Sequence, residues 1–127
     1  MAGGKILLVD DHRSVRDMIR MLLESEGYEV VEAGDGREAI SVAGQERPDL
    51  MVLDLMMPEV NGEKVIQELW GKPEFGGLPV VVVSAKEEAL EGCINLLGAD
   101  NVFSKPFEPT RLLDRIDQLM GRQSPPG

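Results

Sequence analysis

Five residues hold most of the chemistry this sequence offers: the adjacent acids Asp10 and Asp11, Asp54 within Val52-Leu53-Asp54-Leu55, Ser84 closing a run of valines, and Lys105. Each has a plainer use on its own. An isolated acid pair is more often a solvated turn or a helix cap, and a serine at a strand end is a common turn residue. An acid in an apolar stretch is costly to bury alone, and a structural ion pair between Asp54 and Lys105 would relieve that cost. Together the five residues suit something more specific. Three carboxylates at one place repel one another until protonation or a cation intervenes. Mg²⁺ is the expected ion, because it prefers oxygen ligands and readily combines one or two carboxylates with waters and a phosphate oxygen. Lys105 and Ser84 are then available to the other phosphoryl oxygens. The set suits phosphoryl transfer to a carboxylate.

The elements that must position these residues alternate along the chain. Lys5–Asp10 is a short apolar run ending in acids. Ser14–Glu26 places Val15, Met18, Ile19 and Leu22 at helical spacing, and Gly27 ends it. Glu29–Ala33 is a second predicted strand. Asp35, with Glu38 three residues on, predicts an N-cap and capping box for a helix through about Ala43. Asp49–Leu55 is a third strand, and Asn61 is placed to cap a helix bearing Val65, Ile66, Leu69 and Trp70. Pro79 opens Val80–Ser84, an unbroken β-branched run. Ala89, Leu90, Cys93, Ile94 and Leu97 form a fourth helical stripe, Asn101–Ser104 a fifth strand, and Leu112, Leu113, Ile116, Leu119 and Met120 a fifth helix. Five strands alternating with five helices predict an α/β domain: a doubly wound parallel sheet covered on both faces. In such sheets ligands bind at the carboxyl ends of the strands, near the point where strand order reverses. All five candidate residues fall at predicted strand ends.

The chain's 127 residues are enough for one core and leave no room for a second, so a single domain is expected. Residues 1–4 read as an N-terminal extension, 5–121 as the domain, and 122–127 (RQSPPG) as a flexible tail or the start of a linker. Thirteen basic against twenty-three acidic residues give a net charge of −10, which argues against direct contact with nucleic acid or anionic lipid. There is no apolar run of the ~20 residues needed to span a bilayer and no signal-peptide pattern, so a cytoplasmic protein is expected. The single cysteine, Cys93, cannot form an internal disulfide and is expected to pack.

From Lys5 to about Gly121 the sequence resembles the receiver domains of two-component response regulators, including the single-domain chemotaxis regulator. The resemblance rests on ILLVDDHRSVRDMI, AGDGREAI, PDLMVLDLMMPEVNG, PVVVVSA and KPF. It implies the flavodoxin-like receiver architecture and a Mg²⁺-dependent phosphoryl acceptor acting as a conformational switch, not a turnover enzyme. Asp54 matches the nucleophile that forms the aspartyl phosphate. Asp11 matches the acid that contacts Mg²⁺ directly, and Asp10 the neighbour that usually acts through water. Met56 matches the position whose backbone carbonyl completes the protein ligands. Lys105 matches the lysine that pairs with the phosphoryl group, Ser84 the hydroxyl that moves to bond it, and Lys105–Pro106 a peptide bond that is cis in the family. The implied phosphodonor is a sensor histidine kinase, a histidine phosphotransfer protein or a small acyl phosphate. Hydrolysis partly catalysed by the same site would reset the switch. A phosphorylation-independent pseudo-receiver is the competing reading, and the complete residue set argues against it.

One departure stands out. Family members commonly carry Tyr or Phe three residues before the lysine, whereas this chain has Val102 followed by Phe103, which is expected on the opposite side of the strand. Arg13, Arg16 and Arg20 share a helix face and read either as a solvated surface or, with the Pro106 loop, as a kinase-docking contact. Asp100, Arg111 and Arg115 could pair on the fourth-helix to fifth-helix surface, where many receivers form homodimers; the residues alone do not decide it. Gly34-x-Gly36-x-x-Ala39 has the form of a dinucleotide fingerprint, but Asp35 would face a pyrophosphate with like charge and the stretch follows the wrong strand. His12, without nearby Cys or His partners, reads as a loop residue.

Overall fold

The computed structural model describes residues 4–10, 13–54, 62–84, 97–98, 101–104 and 108–121, with backbone alone at 13–15, 54, 62–63, 84 and 104. The described strands are β1 (Lys5–Val9), β2 (Glu29–Ala33), β3 (Leu50–Asp54), β4 (Val80–Ser84) and β5 (Val102–Ser104). The described α-helices are α1 (Arg13–Ser25), α2 (Gly36–Glu46), α3 (Gly62–Trp70) and α4 (Pro109–Leu119), with a 3₁₀ turn over Pro73–Phe75. The α4 helix is the last helical stripe of the sequence. The stripe from Ala89 to Leu97 falls almost wholly outside the described residues.

All the strands pair in parallel, in the order β2-β1-β3-β4-β5. The chain moves outward from β1 to β2, then crosses back to place β3 on the other side of β1. That reversal makes the carboxyl ends of β1 and β3 the switch point, where sheets of this kind bind their ligands. The sheet separates two cores. On one face Leu7, Val9, Met51, Leu53, Val80 and Val82 pack against Ala39 and Ala43 of α2 and Val65, Ile66 and Leu69 of α3. On the other, Ile6, Leu8, Leu50, Val52, Val81 and Val83 meet Ile19 and Leu23 of α1 and Leu112 and Ile116 of α4. Successive strand residues serve opposite faces, so both sides must be apolar, and the strands read as continuous hydrophobic runs.

The α1 helix is phased differently from the expectation. Ile19 and Leu23 are buried, whereas Met18 is 54% exposed and Met21 71% exposed. The buried stripe is centred on Ile19 and Leu23, with Leu22 half-buried on one flank and Arg16 and Arg20 on the other. The two arginines turn toward β2, and that orientation leaves Met18 on the solvent side. Gly27, at φ 89°, follows the helix and turns the chain toward β2.

The cap of α2 takes a modified form. Asp35 accepts a hydrogen bond from the Glu38 amide at 2.8 Å, but Glu38 Oε2 accepts from the Gly34 amide, one residue before the cap, at 3.4 Å. The helix runs on through Glu46, past the last apolar position. Arg47 ends it in the left-handed region at φ 50°, its amide donating to the Ala43 carbonyl at 2.9 Å. The 3₁₀ turn seats Phe75 in the core, and Trp70 Nε1 donates to the Leu78 carbonyl at 2.9 Å. Strand β5 begins one residue later than expected, because Asn101 serves the preceding loop. Its Nδ2 donates to the Leu97 carbonyl, and its Oδ1 accepts from Arg115 Nε, both at 2.8 Å.

Candidate functional site

The candidate residues at the switch point follow directly from strand register. Val9 and Leu53 are partners across β1 and β3. Asp10 and Asp54 are the next residues on these two strands, which neighbour each other at a spacing of about 4.8 Å. Asp54 pairs with Val83, and Ser84, the last residue of β4, pairs with Ser104, the last of β5. The sheet therefore delivers Asp10, Asp54 and Ser84 to the same edge. Asp11, Met56 and Lys105 lie outside the described residues, as do His12, Cys93, Asp100 and Pro106. Among the described residues no group of three or more His, Cys, Asp or Glu side chains converges.

Asp10 has no exposed surface at all. Its amide donates to the Ala33 carbonyl at 3.2 Å and its own carbonyl accepts from Arg16 Nη1 at 2.9 Å, so the backbone is held on both sides of the residue. A fully buried carboxylate one strand from a second acid favours a site that binds positive charge. The donors are hard carboxylate oxygens, which suit Mg²⁺ better than a softer metal.

The arginines of α1 hold positions that their spacing did not reveal. Besides gripping the Asp10 carbonyl, Arg16 places Nε 3.5 Å from Glu32 Oε1 on β2. Glu32 Oε2 lies 3.1 Å from Arg20 Nη1, and Arg20 Nε lies 3.3 Å from Glu24 on its own helix. Arg16 and Arg20 are thus tied into the fold and not simply solvated. Arg115, one of the residues that could pair on the surface of the last helix, is likewise engaged within the chain, with Asn101 at 2.8 Å and with Gln118 at 2.9 Å.

At the far end of the sheet, Val102 packs with the α2 and α3 core beside Leu97, while Phe103 packs with the α1 and α4 core. The expectation that Phe103 faces away from Val102 is met. The face that Val102 serves carries no β5 aromatic.

A parallel sheet in the order β2-β1-β3-β4-β5 with helices on both faces defines a doubly wound α/β domain of the flavodoxin-like class. More particularly, the chain belongs to the response regulator receiver domain family, whose profile matches residues 6–117. It is 38% identical over 119 residues to the alkaline phosphatase synthesis transcriptional regulatory protein PhoP of Bacillus subtilis, covering 93% of this chain and 49% of that protein. It is 40% identical over 122 residues to the response regulator MprA of Mycobacterium tuberculosis, covering 95% of this chain and 52% of MprA. The chain thus spans about half the length of these relatives. Among solved structures, the chemotaxis response regulator CheY4 of Vibrio cholerae superposes with a TM-score of 0.80 at 31% identity, covering 94% of this chain and 98% of that one. The signal receiver domain of a histidine kinase from Syntrophus aciditrophicus gives 0.82 at 28% identity, covering 93% and 90%. The chain is a receiver domain of two-component signalling, a family of phosphoacceptor switches. Response regulators are phosphorylated by sensor histidine kinases, and receiver domains generally use Mg²⁺ at an acidic pocket. No described helix is long and apolar enough to cross a membrane.

Proposed function

We propose that this receiver accepts its phosphoryl group on Asp54, with Asp10, Asp11, Ser84 and Lys105 completing the site. The observation that carries the reading is the register placing Asp10 and Asp54 side by side at the switch point, in a chain that belongs to the receiver family. A Mg²⁺ ion held by Asp10, Asp11, Asp54 and the Met56 backbone carbonyl would neutralise charge on the phosphoryl oxygens. A carboxylate oxygen of Asp54 attacks the donor phosphorus in line. The new O–P bond forms as the donor's bond to phosphorus breaks, and the leaving group departs with that electron pair. Lys105 pairs with a phosphoryl oxygen and Ser84 donates a hydrogen bond to another, so that charge is met where it develops. Water later attacks the phosphorus of the acyl phosphate, releasing inorganic phosphate and restoring the Asp54 carboxylate.

The donor in this reading is a phosphohistidine on a sensor kinase or phosphotransfer protein, and the setting is the cytoplasm. Residues 5–121 act as the switch unit, with 122–127 as tail or linker. Phosphorylation favours one of two conformations, and a partner with unequal affinity for them reads the change. Relatives that include a transcriptional regulator, a chemotaxis regulator and a kinase-attached receiver leave the output to be set by whatever partner or domain binds.

The test is intact mass after incubation with acetyl phosphate, with and without Mg²⁺, for the native chain and for Asp54→Asn. One phosphoryl group should be gained only by the native chain and only with Mg²⁺. No gain, repeated with a phosphohistidine donor, would favour the phosphorylation-independent module.

A further inference from the structure

The first four residues of α1 are Arg13, Ser14, Val15 and Arg16, with no acid among them. A helix N-terminus carries partial positive charge and favours acids, so two arginines there oppose the local electrostatics. A sequence choice that works against its own element commonly has a reason elsewhere in the fold. For Arg16 that reason is visible. Its Nη1 reaches the carbonyl of Asp10, the residue that follows β1, at 2.9 Å. Its Nε faces Glu32 at 3.5 Å, and Glu32 is fixed in β2 opposite Leu8 and is shared with Arg20. A guanidinium presents several donors in a rigid plane, so one group can engage both a carboxylate and a carbonyl.

We infer that Arg16, oriented by Glu32, is a positioning residue that fixes the Asp10 backbone and thereby sets the affinity of the acidic site for its divalent cation. The inference rests on the reading of Asp10 as part of that site. The Asp10 amide is already anchored to Ala33. With the carbonyl held by Arg16 as well, the Asp10 backbone is fixed on both sides and Asp10 leaves the strand in a set orientation. Removing Arg16 takes a charged donor away from the carbonyl of a fully buried residue. The acids would then pay for their alignment when the cation binds, which weakens binding without removing a ligand.

The experiment is a Mg²⁺ titration followed by backbone amide shifts, together with denaturation midpoints in EDTA, for the native chain, Arg16→Ala, Arg16→Lys and Glu32→Gln. Arg16→Ala should raise the Mg²⁺ Kd on the order of tenfold, the scale of losses when a ligand's outer partner is removed. Arg16→Lys should recover only part, because an ammonium cannot span both acceptors. Glu32→Gln should weaken binding in the same direction, and its effect should vanish in the Arg16→Ala background if the two act as one unit. A purely structural role would lower the EDTA midpoint and leave the Kd of the folded variants unchanged, which would overturn the inference. So would a loss confined to transfer from a phosphohistidine protein, since that outcome assigns Arg16 to donor docking. Should Arg16→Ala fail to fold, Arg16→Lys and Glu32→Gln carry the same comparison. If the native chain binds no Mg²⁺, the reading of the acidic site fails, and this inference fails with it; an unchanged Kd in the variants alone defeats only the inference.

Discussion

The hydroxyl of Tyr28, a residue only 3% exposed between α1 and β2, donates to the carboxylate of Asp117 in α4. The bond ties the turn between α1 and β2 to α4, across 89 residues of sequence. A hydrogen bond to a charged acceptor contributes about 1.5–3 kcal/mol. Tyr28→Phe keeps the ring's packing and removes the donor, so it should destabilise the fold by about 1–2 kcal/mol, measured by urea denaturation. An unchanged midpoint would mean that the bond contributes nothing net.

Lys5 predicts a pH dependence at the other end of the strands. Hydrogen bonding to Glu29 and Glu46, at 3.1 and 3.2 Å, holds its ammonium above the ordinary value of 10.5. A group whose pKa is raised on folding contributes stability that is fully present below its unfolded value and lost as pH rises through the folded one. The margin by which the native chain exceeds Lys5→Met should therefore be constant from neutral pH to about pH 10 and close above that. Salt at about 0.5 M should narrow it at every pH, because the pairs are solvent-exposed. A margin that widened in alkali would contradict the assignment.

Arg47 invites a stabilising change. Its left-handed conformation costs a side-chain-bearing residue about 1 kcal/mol and costs glycine almost nothing. Arg47→Gly should raise stability by roughly 0.5–1 kcal/mol despite the extra chain entropy of glycine. Thermal denaturation would show this directly, and a lower midpoint would point to a role for the arginine side chain itself.

For the reaction, Ser84→Ala should leave Asp54 able to take up a phosphoryl group but slow labelling by acetyl phosphate. The expected loss is on the order of tenfold to a hundredfold, for removal of one donor from developing negative charge. Stopped-time intact-mass measurements would resolve the two rates. Equal rates would remove Ser84 from the chemistry.

The strands were legible because burial on both faces demands unbroken apolar runs such as Val80–Val83, and the strand ends then fell where the acids and Ser84 lie. The α2 cap was legible because Asp35 and Glu38 interact locally. Met18 was misassigned because helical spacing alone does not choose between adjacent faces; the choice is made by Arg16 and Arg20 turning toward Glu32 on another strand. The turn at Pro73–Phe75 is too short to show a period. Of the candidate residues, the backbone brings Asp10, Asp54 and Ser84 to one end of the sheet, while Asp11, Met56 and Lys105 lie outside the described residues. The grip of Arg16 on Asp10 had no sequence signal beyond a basic residue in a helical turn that prefers acids.

The sheet order has a consequence for how the molecule breathes. Strands β1, β3 and β4 have neighbours on both sides, whereas β2 and the three-residue β5 are edges. Amide exchange in the middle of such a sheet requires nearly global unfolding, while edges open locally at lower free energy. Asp54 ends one of these interior strands, and Asp10 directly follows another. The acids proposed for the site are thus carried by strands that such a sheet is expected to open last, while the β5 edge opens more readily.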